Sequence, residues 1–295
     1  MKDTPTVNNV LPGLGGAAKF YLLTFAISWA VWSILILFPG AADWAPLIVI
    51  FGAYGPLMAS LILSRAAGGR GSARHWLRSV SGVRGRWRWI LLGGFLLPLI
   101  IALAHLVLYR VIIGPFALSA DPPWYWAAST GPLNVLVLFW MSSAIEEFGW
   151  QGFAMPRLAS KLHPLVACLV HGLIWATWHL PLYFTGAWKG DDQAVWLLYA
   201  ITLTLTPTMF WLTRQARGSV IPAVLFHAAT NHYSALFAKE QSFPIFIEPL
   251  SANFVEIKVA IYLLIAVILI VTTRGQLGFS SSPANRPKTQ LKAAF

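Results

Sequence analysis

Eight separate runs, each close to the ~20 mostly apolar residues that a helix needs to cross a bilayer, dominate this chain of 295 residues. They are Phe20–Phe38, Trp44–Leu63, Trp89–Tyr109, Leu133–Gln151, Leu165–Leu182, Ala194–Leu212, Val220–Phe237 and Val255–Thr272. Hydrocarbon offers no water to pair an exposed peptide group, so such runs fold as helices that satisfy their own backbone. The sequence therefore predicts an all-α, polytopic integral membrane bundle of about eight transmembrane helices. Only 11% of the residues are charged, against roughly 25% in ordinary soluble domains, and the mean hydropathy is +0.66. This composition rules out a disordered chain and argues against an ordinary soluble enzyme. Three parts follow: a segment 1–19, a transmembrane domain 20–272, and a basic tail 273–295 that is rich in Ser, Pro and Lys and expected to be disordered. The lone cysteine, Cys168, allows no intrachain disulfide.

A net charge of +11 looks at first like a nucleic-acid signal, but the positions of the charges give a different explanation. Most Lys and Arg residues fall in alternate connecting segments, from Lys2 and Lys19 through Arg65–Arg88, Arg157, Lys161, Arg214 and Arg217 to the tail. Asp43, Asp121, Asp191, Asp192, Glu240, Glu248 and Glu256 take the opposite side. Basic loops stay inside, which predicts both termini cytoplasmic, an even number of spans and residence in the cell membrane. The stretch 64–88 interleaves Arg with Trp76, Trp87 and Trp89 and contains no acid. It reads as a cytoplasmic loop lying on anionic lipid. There is no room for a soluble fold that would present it to nucleic acid.

Two acids, Glu146 and Glu147, lie inside the fourth run, in Met-Ser-Ser-Ala-Ile-Glu-Glu-Phe-Gly-Trp-Gln-Gly. One acid at the bilayer centre costs about 2.5–3.5 kcal/mol on the lenient insertion scale. An adjacent pair must therefore face the bundle interior or a wet cavity, and marks a functional site by default. A neutral pair bonded to helix backbone, or a helix ending early at the interface, is the bland alternative. Adjacent helical residues point about 100° apart, so the two carboxylates serve different neighbours. Glu147 and Gln151 are spaced i, i+4 and can touch, which leaves Glu146 the freer acid.

The histidines sort by setting. His75 and His163 belong to connecting segments and read as solvated; His105 reads as a packed polar residue; His171 and His232 have no evident partner. His179 ends Trp175-Ala-Thr-Trp-His179, with Pro181 two residues on to weaken the helix and free backbone groups. His227 and Asn231 share one face of the seventh run at i, i+4. Both can donate hydrogen bonds, so that face suits a developing oxyanion; a simple interhelical contact is the alternative. At 1.5 Å per residue, Glu146 and His227 both lie about 10 Å from the inner face, whereas His179 comes out about 20 Å deep. This mismatch is a strain in the sequence reading.

Glu146-Glu147 in one span, Trp-His-Leu-Pro in the next and His227-x-x-x-Asn231 two spans later resemble the CPBP family, the CAAX-protease and bacteriocin-processing membrane proteins, also called Abi or Rce1-like intramembrane glutamic endopeptidases. The resemblance covers about Leu133 to Ser234, with a weaker echo at Gly52-Ala-Tyr-Gly-Pro56. The family pattern is Glu-Glu-x-x-x-Arg, Phe-x-x-x-His and His-x-x-x-Asn or Asp. Here Gln151 stands for the arginine and Trp175 for the phenylalanine; Met155-Pro156-Arg157-Leu158 also looks like the family. The resemblance implies that Glu146 activates a water with His179, that His227 and Asn231 hold the oxyanion, and that Glu147 tunes the pair. Without a counter-ion, two like carboxylates in a dry site share a proton; Arg157 is one candidate to restore the charge.

These readings predict an endopeptidase acting on a membrane-associated protein or peptide, of CAAX type or leader and bacteriocin type, without a cofactor. Zinc is a rival, since two His and one Glu can form a catalytic set, but no His-Glu-x-x-His accompanies them. Ser142 and Ser143 precede the acids by one turn without an evident base. A non-catalytic scaffold or immunity protein with the same fold is favoured by Gln151. A proton-coupled transporter would use similar residues, but no inverted repeat is visible.

Overall fold

The computed structural model describes residues 13–115, 143–185, 194–237 and 254–279. Among these, six helical segments are long and apolar enough to cross a membrane: Gly13–Leu37, Pro39–Gly68, Trp87–Ile112, Pro164–Phe184, Val195–Gln215 and Phe254–Thr272. The protein is a polytopic, helical integral membrane protein. We number the helices α1 (Gly13–Leu37), α2 (Ala45–Ala53), α3 (Gly55–Gly68), α4 (Ser72–Val80), α5 (Trp87–Ile112), α6 (144–159), α7 (Pro164–Trp178), α8 (Leu180–Phe184), α9 (Val195–Gln215), α10 (Ile221–Phe237) and α11 (Phe254–Thr272).

Several boundaries differ from the sequence reading for identifiable reasons. The second predicted span breaks at Tyr54 into α2 and α3. The fourth is described only from Ser143, and its helix runs on past Gln151 to Ala159. It passes through a π-helical turn at Trp150–Ala154, a geometry that is rare and clusters at functional sites. The seventh forms as α10, 17 residues long. The opening part of the fourth predicted span, the His232 side chain and the tail beyond 279 lie outside the described residues.

α6 is the axis of the bundle. From Ser143 to Ala159 every residue is buried except Pro156. On one side lie α1 and α3. The buried face of α1, Gly16, Ala17, Phe20, Tyr21, Thr24, Ser28 and Trp32, recurs at helical spacing and puts Phe20 against Trp150 and Phe153. On the other side lie α7 and α10, with α9, α11 and α5 closing the bundle.

Glycines set the closest approaches. The Gly52–Pro56 motif now has a structural role: a Cβ on Gly52 would collide with the Trp32 indole, and one on Gly55 with the Ser28 hydroxyl. Across from it, a Cβ on Gly149 would stand 2.6 Å from both Cβ and O of Pro56. Because that neighbour includes rigid backbone, Gly149→Ala is expected to destabilise the bundle by about 1–3 kcal/mol, the usual cost of overpacking. At Gly152 the added Cβ would meet Val220 and Trp76 no closer than 3.3 Å, so Gly152→Ala serves as the milder control. Thermal unfolding in detergent compares the two; equal midpoints would contradict the packing argument.

The basic stretch 64–88 is not a plain loop. Its middle is α4, whose Ser72, Trp76 and Val80 are buried at i, i+4, i+8 while Arg74, His75 and Arg78 are exposed. Trp76 donates its indole N–H to the Gly152 carbonyl at 3.2 Å, a group within the π-turn, and the Val80 carbonyl accepts from Val220 N at 2.8 Å. Trp76 therefore serves the core, and Arg70, Arg74 and Arg78 are left on the surface.

Candidate active site

The two adjacent acids sit in the first turn of α6, with Glu146 5% and Glu147 0% exposed. As their angular separation requires, they face different partners. Glu146 Oε2 accepts from the Trp175 indole N–H of α7 at 3.1 Å. Glu147 Oε1 lies 3.0 Å from Nδ1 of His227 on α10. Gln151, buried one turn further along α6, stands at the i, i+4 position from Glu147 and brings no charge.

The His227 contact is more specific than the sequence reading. The imidazole expected to pair with Asn231 as an oxyanion holder is fixed at one nitrogen by Glu147. That bond sets the ring orientation and reserves Nε2 for a second partner. Asn231, half-buried, follows one turn later.

His179 caps α7, and the helix breaks there before Pro181. Its Nδ1 lies 3.0 Å from the Trp175 carbonyl. A carbonyl only accepts, so Nδ1 carries the proton and Nε2 is the basic nitrogen of the neutral ring. The backbone N–H of His179 turns instead to Ala176 and Thr177, which is how the carbonyl of Trp175 becomes available. The mismatch in depth comes from α6, which runs eight residues past the predicted end at Gln151 to Ala159, so that Glu146 lies about 20 Å from its inner end, close to the depth of His179. The α7 residue level with Glu146 is Trp175, four residues and about 6 Å nearer the inner end, and Trp175 links Glu146 to His179.

Arg157 is buried, but its guanidinium stacks on Phe153 at 3.5 Å and donates to the Phe153 carbonyl at 2.7 Å. Ten residues beyond Glu147, it stands about 15 Å along the helix, so it does not supply the missing counter-charge.

Three features were not read from the sequence. His171, for which no partner was evident, takes a hydrogen bond with the Tyr21 hydroxyl at 2.9 Å, 150 residues away. It also stacks on Trp175, with ring centres 6.2 Å apart and 12° between planes. The spacing His171, Trp175, His179 (i, i+4, i+8) placed all three on one face of α7 and could have revealed it. Trp150, Trp178 and Trp32 form the aromatic wall behind the site, with centroid separations of 5.4 and 4.6 Å. Lys258, near the start of the last predicted span, is buried on α11 over the Tyr262 ring at 5.6 Å, close enough for its charge to act on His105 and His227. His105 is fully buried and packs on Phe254 at 4.5 Å, and His75 is exposed, both as expected. His163, also exposed, caps α7 by accepting from Leu165 N.

Ligand atoms of Glu146, Glu147 and His227 lie within 4.8 Å of one another, so these three residues could hold a metal ion. The same cluster equally suits proton transfer, because it combines two carboxylates with an imidazole in a site shielded from bulk water.

An integral membrane helical bundle with a buried carboxylate–imidazole cluster at its axis is the class of protein defined so far. Residues 127–233, which carry the whole cluster, match the family described as "Type II CAAX prenyl endopeptidase Rce1-like". Over this stretch the chain is similar to the Rce1-like family. A CAAX prenyl protease 2 of Methanococcus maripaludis is 30% identical over 119 residues, which are 38% of this chain and 44% of that protein. The aligned stretch thus spans under half the length of that curated relative.

Proposed function

We propose that the chain is a membrane-embedded endopeptidase that hydrolyses a peptide bond of a membrane-associated protein or peptide, with Glu146 activating the water. One observation carries this reading. Three helices bring to one buried place a carboxylate held by an indole, a second carboxylate paired with an imidazole, and a second imidazole whose Nδ1 carries the proton. The match to an endopeptidase family and the name of the relative, CAAX prenyl protease 2, support it. A CAAX-type C-terminal segment is accordingly the first substrate to test, with leader or bacteriocin-type peptides the alternative.

In the proposed reaction a water lies between Glu146 and Nε2 of His179. Glu146 takes one proton, and the water oxygen bonds to the peptide carbonyl carbon as the C=O electron pair moves to oxygen. His227 and Asn231 donate to that oxyanion. The Glu147–His227 bond allows this without a further charge. With one proton in the bond and one on Nε2, the pair is neutral whichever atom holds the bridging proton, and Nε2 remains a donor. When the C–N bond breaks, Glu146 returns its proton to the leaving amine. One water is consumed, and a carboxyl and an amine terminus are formed.

No step requires a metal. Treating the purified protein with a strong divalent-metal chelator is expected to leave the cleavage rate unchanged. Loss of activity restored by added zinc would instead assign Glu146, Glu147 and His227 as ligands. At the membrane surface, Arg70, Arg74 and Arg78 would lie against anionic lipid, with both termini on that basic, cytoplasmic side. The basic test of the proposal is cleavage of membrane-tethered peptides in liposomes by the parent beside Glu146→Ala, with activity expected only in the parent.

A further inference from the structure

Glu146 receives its well-formed hydrogen bond from outside its own helix, and the residue that gives it touches the rings of His171, His179 and His227. We propose that Trp175 is the positioning residue of Glu146: its indole N–H, reaching across from α7, fixes the carboxylate in a site whose central helix provides no cation to do so.

The bond is 3.1 Å long and buried at both ends, with Trp175 3% and Glu146 5% exposed. An indole nitrogen can only donate and a carboxylate can only accept, so the direction of the bond is certain. Donation to an ionised acceptor is the stronger kind of hydrogen bond. The other candidates are otherwise engaged. Gln151 is uncharged and stands one turn along α6 from Glu147, at i, i+4. Arg157 is three turns away on Phe153. Lys258 exerts its charge on His227 and His105. Trp150 is the second indole near Glu146, but its Nε1 has no hydrogen-bond partner among the described residues.

Trp175 is itself held from several sides. His171 stacks on its face and is tied to Tyr21 on α1. His227 meets it edge-on, with centroids 5.4 Å apart and 78° between planes. Its carbonyl accepts the hydrogen bond from His179 Nδ1–H. One residue thus sets the relative placement of Glu146, His179 and His227, the groups that must stay within a fraction of an ångström of productive geometry. Phenylalanine at 175 would keep the ring contacts and lose only the N–H.

The kinetic consequence rests on the endopeptidase reading; the bond does not. In Trp175→Phe, kcat is expected to fall about 10- to 100-fold, the value of a hydrogen bond to a charged group, with KM and the thermal midpoint near those of the parent. Independently, the full chain is labelled with 15N-tryptophan in detergent micelles, and the Trp175 indole resonance is identified by its loss in Trp175→Phe or Trp175→Tyr. It is expected downfield of the other buried indoles, and to move upfield in Glu146→Gln. A resonance that ignores Glu146→Gln overturns the proposal whatever the kinetics show. So does an unchanged kcat in Trp175→Phe. A resonance that moves as expected in a parent that cleaves no peptide upholds the bond and removes the endopeptidase reading instead.

Discussion

Glu146→Gln is expected to lower kcat/KM by about 10²–10⁴-fold, the range attributable to a positioned general base, while leaving the bundle folded. The side chain keeps its shape, and its carboxamide oxygen can still accept from Trp175, so the wall of rings behind it has no reason to move. What is lost is the ability to take a proton from water and return it to the amine. Glu147 cannot substitute. It is 0% exposed, its Oε1 is engaged by His227, and it points about 100° away around the helix. Peptide cleavage per mole of protein, set beside the thermal midpoint in detergent, checks both halves. A variant that unfolds like the parent and cleaves like the parent would show that Glu146 is not the base.

His227→Ala is expected to cost more than one property. The rate should fall about 10²–10³-fold, as when one oxyanion donor is removed. The protein should also lose about 3–5 kcal/mol of stability, because truncating one member of a buried pair strands the other. Here the stranded group is a fully buried carboxylate whose partner was 3.0 Å away. Activity measured per folded molecule separates the two effects. Loss of stability with full activity per folded molecule would reduce His227 to a structural contact between α6 and α10.

Much of this site was legible in the sequence because a bilayer penalises polar residues so heavily. Glu146 and Glu147 stand out in an apolar run, and the i, i+4 rule puts His227 and Asn231 on one face without any structure. Which carboxylate His227 would take was not legible. That depends on how α6 is rotated against its neighbours, which is fixed by contacts such as Gly149 on Pro56 between residues far apart in the chain. The π-turn at Trp150–Ala154 shifts the faces again just beyond the acids. The Tyr21–His171 bond spans 150 residues and leaves no local pattern. In 64–88 the density of arginine concealed the Ser72, Trp76, Val80 spacing, a helix signal that draws Trp76 into the core. The depth arithmetic failed because it ended the fourth span at Gln151; α6 continues to Ala159, which puts Glu146 about as deep as His179.

In the proposed function the cluster hydrolyses peptide bonds with glutamine, not arginine, at position 151. The most direct test incubates the parent, Glu146→Ala and Gln151→Arg, each in liposomes, with a library of membrane-tethered peptides, and reads the products by mass spectrometry. Internal cleavage by the parent, absent in Glu146→Ala, is the result expected. A silent parent beside a Gln151→Arg that cleaves would contradict it, and would make this chain a bundle that kept the fold and lost the chemistry.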